Sequence, residues 1–334
     1  IGPEVVLKAL GMRDWLAIAD ITVLGTRSLL HQTYQAIQQS SYEGSLPPLD
    51  ALTFVEIPPP LLLASVTFGQ ATAATGAASF AYHKAAIEGA MTGQYDAIVT
   101  GPVAKSAWKA AGHHYPGQTE LLAEGAQSDR FGMAFVAQSP HSGWWLRALL
   151  ATTHIPLRQV PDVLTPSLMT RKLDLLIDGL QQDFGLSQPH IAVAGLNPHS
   201  GEGGQLGHEE VDWLLPWLEA QRQRYPQIQL DGPVPPDTLW VRPGQAWFGT
   251  DHRALAIAHD AYLALYHDQG LIPVKLMAFD RAVNTTLGLP FVRTSPDHGT
   301  AFDIAGRGMA DAASMEAAIE VAVAVVESRH PVMA

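Results

Sequence analysis

Helical and strand patterns alternate from the first residues of this chain, and that alternation predicts an α/β fold, a largely parallel sheet covered by helices. Three apolar, strand-like stretches run straight into a histidine: residues 146–154 (LRALLATTH), 191–199 (IAVAGLNPH) and 261–267 (AYLALYH). Parallel strands end at a ligand crevice, so such residues line it. The 334 residues, 47% apolar and 16% charged, suffice for two domains or one large α/β domain.

The elements follow in order. Gly2-Pro3 opens a helix reaching Leu10, with proline in the first turn, where its missing N–H is no loss. Residues 21–25 (ITVLG) read as a buried strand, 28–38 as a helix and 52–57 as a strand. An alanine-rich helix over 77–92 stops at Gly93 and leads to a strand at 97–100. The rhythm then changes: 132–137 and 144–150, with SPHSG between them, predict an antiparallel hairpin that marks a second domain. A helix over 165–184, a strand at 191–196, a helix over 209–225, helix then strand over 254–266, and a terminal helix over 314–328 complete the series.

Composition narrows the function. A formal net charge of −12, from 20 basic and 32 acidic residues, argues against a nucleic-acid surface and offers no basic patch to a membrane. No stretch approaches the roughly 18 apolar residues of a membrane span, and the opening residues do not read as a signal peptide, so a cytoplasmic protein is expected. There is no cysteine, which excludes disulfides and thiol chemistry.

A metal in such a chain needs nitrogen and oxygen ligands. His154, His199 and His267, each past an apolar run, suit zinc or another divalent ion (cobalt, manganese or magnesium) with positions left open for substrate. Taken singly, each is more readily an ordinary strand-end or loop residue, and it is the recurrence of three in one context that points to a metal. The turn containing Gly203 and Gly204 precedes a helix and can offer N–H groups to a phosphate, although it is not the dinucleotide fingerprint GxGxxG. Lys275, Asn284 and Arg293 follow His267 near a strand end and could neutralise and orient a phosphate. In HGTAFDIAGRG (298–308), glycine permits close backbone approach while His298 and Asp303 could hydrogen-bond adenine or ribose.

These segments, with VTGPVAK (99–105), PGQTE (116–120), GPVPPDT (232–238) and YHDQG (266–270), occur in one order over nearly the whole chain. As a set they resemble the 4-hydroxythreonine-4-phosphate dehydrogenase family. The resemblance implies two α/β lobes of the isocitrate and isopropylmalate dehydrogenase type, without a conventional Rossmann fingerprint. It places residues 1–128 plus 276–334 in a first lobe with the cofactor loop, and 129–275 in a second with metal site and dimer contacts. It implies a homodimer in which His154, His199 and His267 hold the metal, the last supplied by the other subunit. It carries substrate contacts to Gln118, Thr119, Lys275, Asn284 and Arg293, and a cofactor, NAD or NADP, to the loop with His298 and Asp303. Asp237 and Asp268, beside the metal histidines, are further catalytic candidates with Lys275, and Lys105 is a candidate for cleft electrostatics.

Two departures stand out. Many members read GHTE where this chain has Gln118, and glutamine cannot become cationic or shuttle a proton near neutral pH. Members also begin with a strand and a GDPAGIGPE-like turn, whereas this chain opens within that turn at Ile1. The implied reaction is oxidation of a phosphorylated hydroxy-amino acid, followed by decarboxylation. The alternatives are a paralogue acting on 4-phosphoerythronate or phosphorylated threonate, and a cis-dihydrodiol dehydrogenase. A binding protein without turnover would not need the phosphate-gripping set and the adenine loop together.

Overall fold

The computed structural model describes residues 1–58, 66–249 and 252–330. In chain order the elements are α1 (Gly2–Met12), β1 (Thr22–Gly25), α2 (Arg27–Gln38), β2 (Thr53–Glu56), α3 (Ala73–Met91), β3 (Ala97–Val99), α4 (Lys105–Ala110) and α5 (Gln118–Gly125). Then come β4 (Gly132–Gln138), β5 (Trp145–Leu150), α6 (Val160–Val163), α7 (Pro166–Phe184), β6 (His190–Ala194), α8 (Leu215–Arg224) and β7 (Gln229–Val234). The chain continues with α9 (Pro236–Leu239), α10 (Val241–Phe248), α11 (His252–Ile257), β8 (Ala261–Ala264), α12 (His267–Ala278), β9 (Val283–Leu287), β10 (Val292–Pro296) and α13 (Ala313–Arg329).

Two compact units emerge among the described residues, one from within 1–129 and 289–326, the other from within 130–288 and 327–330. The first contains the parallel pairs β1–β2 and β3–β10. Its α3 begins earlier than the alanine run suggests, because Thr72 caps the helix: its Oγ1 accepts from the Thr75 N–H at 3.2 Å, while the Thr75 hydroxyl faces the Thr72 N–H. Buried Lys8 and Glu4 lie a turn apart on α1, with Nζ 3.0 Å from Oε1. Lys8 also donates to the carbonyls of Gly308 and Ala310, both at 2.8 Å, and Glu4 accepts from the Ala310 N–H. The end of the loop containing His298 and Asp303 is thereby tied to α1.

The second unit carries strands in the order β9-β4-β5-β8-β6-β7. The β4–β5 hairpin is antiparallel, as its spacing predicts, and β4 also runs antiparallel to β9. β5, β8, β6 and β7 are parallel to one another. Strands covered on both faces must be apolar throughout, and β8 (AYLA) is buried at every position. Side chains alternate along β5, so Leu149 packs towards Leu175 of α7 and Leu150 towards α12, placing these helices on opposite faces. Gly270 allows the second contact: a Cβ there would lie 2.6 Å from Leu150 Cδ2 and 3.1 Å from Ala264 Cβ. Sequence reading places Lys275 near a strand end. The structure corrects this, because Gly270 and Pro273, both poor residues for a helix interior, lie within α12, whose packing on β5 and β8 outweighs their weak propensity.

Candidate functional site

In the second unit the parallel strands β5, β6, β7 and β8 end at the same edge, so His154, His199, Asp237 and His267 all follow strand ends there. His154 and His267 come together, with ring centroids 5.6 Å apart. They line a concavity with Thr153, Ile155, Tyr266 and Asp268. His267 is the first residue of α12, and its Nδ1 lies 2.7 Å from Asp268 Oδ1. A carboxylate can only accept, so Nδ1 carries the hydrogen, and in the neutral tautomer this selects, the lone pair belongs to Nε2. The same arrangement recurs at His199, whose Nδ1 lies 3.0 Å from Glu202 Oε1. Carboxylate-oriented imidazoles with a free Nε2 are the donor chemistry a divalent ion requires. These residues fit such a group, although the donors of His154, His199 and His267 do not all come within 4.8 Å of one another in one chain.

His199 lies in a turn, Pro198–Gly204, in which five consecutive residues adopt left-handed conformations: His199, Ser200, Gly201, Glu202 and Gly203. For non-glycine residues this costs roughly 1–2 kcal/mol each. What holds the turn is a buried carboxylate. Glu210 Oε1 accepts from the N–H groups of Leu196 and Asn197, both at 2.7 Å, and Oε2 accepts from Asn197 Nδ2 at 2.8 Å. Gln269 spans the neighbouring strand ends, accepting from the Leu265 N–H and donating to the Gly195 carbonyl, each at 2.7 Å. Neither residue is predicted from sequence. Their signal, a charged or amide side chain beside a strand-end histidine, resembles ordinary surface chemistry until burial is known.

Other candidates are distributed as follows. Asp237 lies in the short α9. Gly203 and Gly204 are in the left-handed turn, ahead of a π-helical stretch that starts at Glu210. Lys275 lies eight residues into α12, about 12 Å along its axis from His267. Its Nζ lies 5.7 Å from the centroid of the Phe279 ring. Asn284 is in β9, paired with Phe135.

In the first unit, Thr119 follows Gln118 in α5, Lys105 opens α4, and His298 and Asp303 lie in the loop after β10. Arg293, on β10, is only 2% exposed, and burial pulls its guanidinium down to about 10, with Glu120 opposing. Arg293 donates from one Nη to Thr100 Oγ1 at 3.1 Å and to Gln118 Oε1 at 3.2 Å. Gln118 Nε2 donates to the Gly101 carbonyl at 3.1 Å, and its Oε1 also faces His83 Nε2 at 3.2 Å. His83 was not among the residues singled out by sequence, where it is one polar residue in a long alanine-rich helix.

A second imidazole cluster lies towards the amino ends of β6 and β8. His190 Nε2 and His259 Nε2 approach the same oxygen, Asp231 Oδ2, at 2.8 and 3.0 Å. By spacing this is a possible metal site, the group of three among the described residues with donors mutually within 4.8 Å. Hydrogen bonding gives the trio a different role. His259 Nδ1 is buried without a partner, and a metal on Nε2 would force the proton onto it, an unpaired N–H costing about 1–3 kcal/mol. With both Nε2 atoms protonated, Asp231 straps β6 and β7 to the segment before β8.

The fold and these donors define an α/β protein with imidazole and carboxylate groups gathered beyond the ends of its parallel strands. The family model for the pyridoxal phosphate biosynthetic protein PdxA matches residues 14–322, and the chain belongs to this family. It is 61% identical to a 4-hydroxythreonine-4-phosphate dehydrogenase of Nostoc sp., over 98% of this chain and 91% of that protein. It is 40% identical to one of Desulfosudis oleivorans, over 97% and 92%. Among solved structures, a 4-hydroxythreonine-4-phosphate dehydrogenase from Klebsiella pneumoniae superposes with a TM-score of 0.80 at 36% identity, covering 98% of this chain and 96% of that one. A terephthalate 1,2-cis-dihydrodiol dehydrogenase from Burkholderia xenovorans gives 0.62 at 28%, covering 97% and 94%. A dehydrogenase family implies a nicotinamide cofactor.

Proposed function

We propose that this chain is a 4-hydroxythreonine-4-phosphate dehydrogenase of pyridoxal phosphate biosynthesis. It oxidises the C3 hydroxyl of 4-phosphooxy-L-threonine, and the resulting ketone, β to the carboxylate, loses CO2 to give 3-amino-2-oxopropyl phosphate. The observation that carries the reading is that His154, His199 and His267 each follow the end of a parallel strand at one edge of the sheet, with Asp268 on Nδ1 of His267. Relatives at 40–61% identity bearing that dehydrogenase name supply the substrate.

A bound NAD or NADP would supply the hydride acceptor, and His298 and Asp303, with the turn at Gly203 and Gly204, are the residues that would hold it. A divalent ion, zinc or alternatively cobalt, manganese or magnesium, would be held by His154, His199 and His267 and supplies Lewis acidity at the substrate oxygen. Gln118, Thr119, Lys275, Asn284 and Arg293 bind and orient the phosphorylated substrate. Asp268 holds the His267 ring, and Asp237 orients the substrate amine.

The enzyme works as a homodimer in the cytoplasm, with the metal site shared between subunits. Ile272, Leu276 and Phe279 support the dimer: spaced as one stripe along α12, the helix that begins at His267, and its C-cap residue, they are 58%, 78% and 75% exposed.

The test is NAD(P)H formation from 4-phosphooxy-L-threonine beside 4-phospho-D-erythronate and a cis-dihydrodiol, with and without chelator. Turnover of the amino acid alone, abolished by chelator and restored by a divalent metal, is expected. Preference for either other substrate overturns the substrate assignment, and chelator-resistant turnover overturns the metal.

A further inference from the structure

His83 is a buried imidazole with an acceptor at each nitrogen. Its Nδ1 faces the Ser79 carbonyl at 2.8 Å, and its Nε2 faces Gln118 Oε1 at 3.2 Å. The amide cannot be turned to relieve this. Arg293 can only donate, so it requires Oε1 where it stands, and the Gly101 carbonyl can only accept, so it requires Nε2. A neutral ring has one N–H and satisfies one of the two acceptors; an imidazolium satisfies both.

Two effects oppose that second proton: burial, which is the larger, and the nearby Arg293 charge. The groups facing the ring are Ser79 of α3, Trp108 of α4, Gln118 of α5 and Arg293 of β10, with Glu120 of α5 acting on Arg293. An anion at the Gln118–Arg293 corner would offset the Arg293 charge and leave burial as the opposing effect.

We infer that His83 is a proton-taking positioning residue: neutral when the corner is empty, it becomes imidazolium when a phosphate monoester binds there, and it locks the Gln118 amide from behind. The proton comes from solvent. His83 thus supplies the cationic character that Gln118 lacks. That the anion is a phosphate monoester rests on the activity proposed above.

The first experiment follows KM and kcat for 4-phosphooxy-L-threonine against pH in the metal-loaded wild type and His83→Gln. Loss of a charge-assisted hydrogen bond should raise KM about tenfold near neutral pH and flatten its pH dependence, with kcat changed by less than about twofold. A KM raised equally at every pH, or a wild-type profile retained by the variant, overturns the proposal.

The second uses the unaltered protein and inorganic phosphate. Ring nitrogen NMR signals of His83, assigned through its contact with Trp108, should move from neutral to imidazolium values as phosphate saturates at slightly alkaline pH. A ring that stays neutral overturns the proposal even if His83→Gln fails to fold. Absence of wild-type turnover would remove the substrate assignment, while the phosphate titration would still decide the role of His83.

Discussion

At the scale of single residues, the site depends on which nitrogen of each imidazole carries the hydrogen. Asp268 settles this for His267 and Glu202 for His199, because each carboxylate accepts at Nδ1. Asp268→Asn keeps the shape but allows the amide to present its NH2 to Nδ1 and favour the wrong tautomer. Metal affinity should fall by about 10–100-fold, read by competition with a chromogenic chelator, while the circular dichroism spectrum stays that of the wild type. Unchanged affinity would show that Asp268 does not orient a metal ligand. Both histidines were legible in sequence as residues past apolar runs. Their orienting carboxylates were less so: Asp268 was among the candidates, but Glu202 looked like one more polar residue of a glycine-rich turn.

At the scale of elements, the left-handed turn at His199 is held in shape by the helix that follows it. Glu210 is fully buried and satisfies three N–H groups of Leu196 and Asn197. Glu210→Ala would strand these donors, so stability should drop by about 3–5 kcal/mol, measured as a lower urea midpoint with unchanged slope. Gln269→Ala removes the amide bridge between the ends of β6 and β8 and should also lower the urea midpoint, since it leaves two neutral groups unpaired at about 1–3 kcal/mol each. Strand and helix positions were readable here because apolar periodicity is local. The helix at His267 was not, since Gly270 and Pro273 disguise it and only contact with Leu150 and Ala264 explains why Gly270 is there.

Across the whole molecule, buried neutral histidines set the response to acid. His83 and His259 are both held below the ordinary imidazole range, chiefly by burial. Below about pH 6.5 the unfolded chain takes up protons that the folded chain resists, so stability must fall with pH from that point downward and be indifferent to these groups well above it. Burial pushes Asp231 up, but its bonds to His259 and His190 together outweigh this and hold it below the ordinary carboxylate range, so it adds stability that is lost only at still lower pH. Thermal unfolding in the absence of metal should therefore show Tm declining between about pH 7 and 5, and His259→Gln should reduce that slope. A Tm independent of pH over that window would contradict neutral burial of both rings. By itself the sequence determined the α/β class, the antiparallel hairpin and the three histidines past strand ends, because periodicity and strand-end position are properties of neighbouring residues. Only the tertiary structure decided the partners of the buried polar groups. Lys8 reaches Ala310 across 302 positions, Gln118 is held by Arg293 across 175, and His190 and His259 share one carboxylate. A polar side chain at a buried position has the same local signature as one in water; the difference lies in what the rest of the chain brings to it.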